Sequence, residues 1–135
     1  MDKVLKYLAV LTGAICLAIG LYHLIGGPVT VIGGGEVTAS TDSQERFFSG
    51  LFAVYGLAWI WVARQTPISA LAIRFLAAGL LVGGLGRVAS LIDLGKPHPF
   101  WLVMLAVEIV IPTLFFVIAG ADEKVKSARS GAAPR

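Results

Sequence analysis

Charge is what this chain has least of. Only 14% of its residues are Asp, Glu, Lys or Arg, against 57% hydrophobic. None of the four falls between Tyr7 and Gly35, between Phe47 and Ala63, or between Phe75 and Gly86. A soluble domain carries charge on about a quarter of its residues, so the polar remainder here is too small to coat a core, and a soluble fold is excluded. Gaps of this length suit helices of about 20 residues crossing about 30 Å of hydrocarbon. Cysteine is nearly absent. The lone Cys16 excludes an intrachain disulfide and leaves the redox compartment open.

The same scarcity removes most known chemistry. Two distant histidines and one cysteine make no metal set of recognisable spacing, so no metal or other cofactor is expected. Gly33-Gly34-Gly35 and Gly83-Gly84-Leu85-Gly86 match neither a GxxxxGK[ST] loop nor a strand–GxGxxG–helix unit. No Ser/His/Asp grouping stands at plausible depth.

What is present is a polytopic all-α pattern: a membrane four-helix bundle in one domain, about 1–120, followed by a polar tail, 121–135. Helix one is expected at about 4–26, two at 42–64, three at 67–94 and four at 99–119. Thr41-Asp42-Ser43-Gln44 has the form of a capping box for the second. Pro67 suits the first turn of the third, and "GKPHP" ends it. Lys3 and Lys6 before an apolar run resemble a signal peptide. The run is long, has no small-x-small cleavage site and is followed by further spans, so it is kept as a mature helix.

Basic residues orient the bundle. One side collects Lys3, Lys6, Arg64, Arg74, Lys124, Lys126, Arg129 and Arg135. The other holds Arg46 and Lys96, with Arg87 nearby, and the acids Glu36, Asp42 and Glu45. Both termini are therefore expected in the cytoplasm of a bacterial plasma (inner) membrane protein. Topology accounts for the net charge of +3, and no nucleic-acid partner is expected. Between helices one and two, "PVTVIGGGEVTAS" sets β-branched stretches around three glycines: either a small hairpin or an irregular external loop.

Membrane helices meet through small and polar side chains. On helix three, Gly79, Gly83, Gly86, Arg87 and Ser90 share one side and are expected to form a close-packing face. Weaker stripes run through Gly13, Cys16, Gly20 and His23, and through Arg46, Ser49, Gly50, Ala53 and Gly56. Helix four contributes Glu108, in line with Trp101, Leu105 and Pro112; the proline removes the donor to the Glu108 carbonyl. Arg87 lies about 10 Å and Glu108 about 13 Å from the same end of neighbouring antiparallel helices. An unpaired charge at that depth costs at least about 2.5 kcal/mol, so the two are expected to pair.

That pair serves either helix register or a ligand or proton role, intramembrane charges being functional candidates by default. Arg46 suits interfacial snorkelling as well as a site, and His23 sits one turn from the end of its helix. Together Arg46, Arg87, Glu108, His23 and Ser90 would form a net positive site in the outer half of the bundle, suited to an anionic group through arginine forks.

"DSQERFFSGLFAVYGLAWIW" and "GRVASLIDLGKPHPFWLVMLAVEI" resemble a bacterial four-span membrane domain of unknown function, family forty-three forty-five. The likeness rests on Arg46-Phe47-Phe48, Tyr55-Gly56, Gly86-Arg87, Ser90, Gly95, Pro97 and Glu108, and spans about 22–116. It implies the four-span topology and supplies no activity. Three functions compete: an accessory protein binding membrane lipid or a lipophilic anion; a lipid-modifying enzyme or isomerase using Glu108 as acid/base; and a proton-coupled carrier. The first is preferred over an enzyme. A homo-oligomer or a larger membrane complex is the expected setting.

Overall fold

The computed structural model describes residues 2–131, with side chains through 128. The side chain of Arg129 and all of Arg135, two cations of the orientation argument, lie outside it. The chain is four helices: α1 (Asp2–Gly26), α2 (Ala39–Ala63), α3 (Ala70–Leu94) and α4 (Pro99–Gly131), with a 3-10 turn at Gly27–Thr30. Each is long and apolar enough to cross a membrane, the pattern of a multi-pass membrane protein.

Three boundaries differ from the sequence reading. Helix α2 begins earlier because Thr38, not Thr41, caps it. The Thr38 hydroxyl accepts from the Thr41 amide at 3.2 Å while the Thr41 hydroxyl accepts from the Thr38 amide at 2.8 Å. Helix α3 begins later, with Ser69 accepting from the Ala72 amide at 3.2 Å; Pro67 stays in the connection. Helix α4 does not stop at Ala119. The stretch expected to be a loose tail continues as helix to Gly131, because its charges are paired. Lys126 Nζ lies 2.6 Å from Asp122 Oδ2 at i,i+4 spacing and 3.4 Å from Asp2 Oδ1, and Arg74 pairs with Glu123.

No hairpin forms, and no strand occurs among the described residues. Pro28 starts a 3-10 turn instead, closed by Val31 N donating to Pro28 O at 2.9 Å. The next residues reach across to α4, where the Trp101 indole N–H donates to Ile32 O at 2.6 Å. With its carbonyls used this way, the β-branched run has no partner strand.

Helix α1 packs along α2, and α3 along α4, while contact between the two pairs is thin. Glycine sets the first pairing. A Cβ on Gly56 would stand 2.5 Å from Leu17 N, and one on Gly20 would stand 2.5 Å from Ala53 N. Backbones that close exclude any side chain. Gly84 does the same for α3 and α4, facing Glu108 Cβ at 3.1 Å. The two pairs join at the end that carries both termini, around Leu5, Trp59, Ile73 and Phe115, all at most 1% exposed. There the Trp59 and Phe115 rings lie 4.4 Å apart. Tyr55 marks the limit of this contact: its hydroxyl donates to Leu76 O and its ring lies 3.5 Å from where a Gly79 Cβ would be. Beyond Tyr55 the pairs separate.

Candidate functional site

The separation leaves a cleft of about 770 Å³ between the helix pairs. The glycine face of α3 lines it rather than packing, which corrects the expected close-packing role. A Cβ on Gly83 or Gly86 would meet nothing within 4 Å. The cause is upstream: Tyr55 props α3 away from α2 before those glycines arrive. Exposed Gly79, Gly83 and Ser90 on α3 and Phe48 and Leu51 on α2 place the opening sideways, between these helices.

Arg87 and Glu108 meet in the cleft, with Arg87 Nε donating to Glu108 Oε2 at 2.7 Å. The Glu108 side chain is only 10% exposed, against 37% for that of Arg87. The carboxylate thus forms the floor and the guanidinium leads from it toward open space. Trp101 holds the other side of the guanidinium, its ring 4.9 Å below Arg87 Cζ. Buried Pro112 has no N–H to offer the Glu108 carbonyl one turn back.

His23 and Ser90 also line the cleft. The His23 ring is oriented by a relay. Thr30 Oγ1 donates to Gly27 O at 2.6 Å and stands 2.6 Å from His23 Nδ1, an arrangement that suits a ring carrying its hydrogen on Nδ1.

Arg46 does not join them. Its Nε donates to Asp42 Oδ2 at 2.9 Å, and its Nη1 donates to the carbonyls of Leu24 at 2.8 Å and Ile25 at 3.0 Å. These are orphan carbonyls at the end of α1, so Arg46 closes a helix terminus. Gly27 makes room for it: φ is +67°, and a Cβ would come within 2.8 Å of Arg46 Nη2.

The neighbouring residue takes the place in the cleft. Glu45 Oε1 lies 4.0 Å from His23 Nδ1 and 3.5 Å from the Ser49 hydroxyl. Adjacent helix positions point about 100° apart, so only one of Glu45 and Arg46 can face inward. The signal available in the sequence was Glu45-Ser49-Phe52, an i, i+4, i+7 stripe whose three members all line the cleft. One arginine against two carboxylates replaces the expected net positive site with a formal excess of one negative charge when His23 is neutral. Trp101, placed by the sequence only in line with Glu108, is the second residue whose part in the cleft sequence reasoning missed.

A model described as "Domain of unknown function (DUF4345)" matches residues 4–119. The chain belongs to the DUF4345 family. The DUF4345 match covers all four spans, including α1, where the resemblance quoted above begins only at Tyr22. No curated protein and no solved structure matches the chain.

A narrower apolar slot of about 150 Å³ lies between α1 and α4, lined by Cys16, Met104, Ile111 and Leu114 among others. It shares Ile19, Phe52, Leu80 and Glu108 with the cleft. A polar compartment and an apolar one thus meet at a common wall.

Proposed function

We propose that the chain is a lipid-binding accessory protein of the bacterial plasma membrane, taking an amphiphile sideways into the cleft between α2 and α3. The observation that carries this reading is the common wall. A polar head fits beside Arg87 and Glu108 while hydrocarbon continues past Phe52 and Leu80 into the α1–α4 slot. Ligand pockets in general pair a mostly apolar lining with a few convergent polar groups. The excess of Lys and Arg near the termini supports both termini being cytoplasmic, which puts the cleft in the outer half of the membrane. Assembly with further copies or into a larger complex belongs to the same reading.

Native mass spectrometry of the protein purified in mild detergent tests it. Retained lipid is expected on the wild type and lost from Gly83→Phe, a large side chain at a cleft-lining position where a Cβ meets nothing within 4 Å. Equal lipid on both proteins overturns the proposal. Because the cleft also reaches the Glu108 carboxylate, an acid–base role on a bound lipid is the competing reading. It requires a lipid pool that changes chemically in cells lacking the protein and is restored by the wild type but not by Glu108→Gln.

A further inference from the structure

The charges of the cleft define the head it would select. Resting on the lipid-binding reading, we propose that it takes a zwitterionic head, an anionic oxygen group on Arg87 and an ammonium on Glu45. Arg87 spends Nε on Glu108 and one face of its guanidinium on Trp101. Among the described residues, its two Nη groups donate to no protein acceptor. Pinned at Nε and on its face, it keeps the fork of donors that matches a phosphate or carboxylate. An arginine with the whole guanidinium paired would leave nothing for a ligand.

Glu45 is the complement. It and Arg87 line the same two neighbouring cavities, the cleft and a space of about 400 Å³ beside it. His23 Nδ1, 4.0 Å away, is a cation beside it only when the ring is protonated, so a neutral His23 leaves this carboxylate free for a ligand's positive group. The Ser49 hydroxyl at 3.5 Å is a marginal donor, and His23 Nδ1 sits on the Thr30 hydroxyl at 2.6 Å, against 4.0 Å to Glu45. Arg46, one residue on, is held by Asp42 and the end of α1. An anion alone would bring its charge beside both Glu45 and Glu108. A cation alone would leave the Arg87 donors unmet in a low-dielectric site, a costly arrangement. A head carrying both signs satisfies each group, and a phosphate joined to a primary ammonium by a short linker is the lipid chemistry that does so.

The full chain in detergent, offered equal amounts of phosphatidylethanolamine and phosphatidylglycerol with identical acyl chains, gives the test by native mass spectrometry. The two lipids share the phosphate and differ in the ammonium. The ethanolamine lipid is expected to be favoured by about tenfold, the worth of one hydrogen bond to a charged group. Glu45→Gln, isosteric and partly exposed, should bring the ratio near one, and Arg87→Ala should weaken both lipids together. Equal binding by the wild type, or a preference that survives Glu45→Gln, overturns the zwitterion assignment and leaves the lipid-binding reading standing. Binding of neither lipid overturns both.

Discussion

The two ends of this bundle are built from the same four helices and behave as different materials. At the termini end, large side chains interlock: Trp59 against Phe115, Leu5 and Ile73 fully covered. At the other end the same helices present glycines to empty space and charged groups to one another. Glycine itself changes meaning between the two contacts. On α1 and α2 it lets backbones touch. On α3, at Gly83 and Gly86, it leaves room. A small-residue stripe in a membrane helix is therefore evidence of either close packing or a cavity, and the neighbouring helix decides which.

The comparison can be broken most forcefully at the termini end. Trp59→Ala removes a fully buried side chain and should cost about 4 kcal/mol, read as a large fall in the thermal midpoint of the purified protein. Gly56→Leu forces a side chain against the α1 backbone and should cost about 3 kcal/mol, seen also as aggregation on size exclusion. Arg87→Ala leaves Glu108 without its partner and should cost about 2 kcal/mol, less than the roughly 3 to 5 kcal/mol of a fully buried pair because the arginine is partly exposed. Glu108→Gln in the same background should recover most of that loss, since no buried charge then stands alone. Gly83→Leu is the sharpest contrast with Gly56→Leu. The same chemical change on the cleft face should leave stability unchanged or raise it by up to about 1 kcal/mol through helix propensity, read as an unchanged or higher thermal midpoint. Smallest of all, Glu123→Gln at the exposed Arg74 pair should shift stability by less than about 1 kcal/mol.

How much of this the sequence carried depends on the range of the interaction. The four spans and the meeting of Arg87 with Glu108 were legible because depth follows from helical rise and a short connection fixes which helices are neighbours. Arg46 could not be placed from the sequence because, besides Asp42, its partners are the backbone carbonyls of Leu24 and Ile25, which carry no side-chain signature. Glu45 was passed over for the same reason in reverse: charge counting assigns both residues to one side of the membrane and cannot tell which faces inward. The α4 extension was hidden in a polar stretch whose helicity rests on the i,i+4 pair Asp122–Lys126 and on Asp2 meeting Lys126 across the fold. The cleft itself was written as a glycine stripe, but its sign depended on Tyr55 reaching Leu76.

Trp101 gives the cleft a built-in optical probe. Its indole rests against the Arg87 guanidinium and is tethered to Ile32, whereas Trp59 is sealed in the core and Trp61 is 65% exposed on the helix surface. With Trp59 and Trp61 changed to Phe, the remaining tryptophan emission would come from a ring in contact with Arg87, the cation to which the proposed ligand is assigned. Titrating a lipid would then shift the colour or intensity of that one fluorophore, so that occupancy is followed in intact membranes without any attached label.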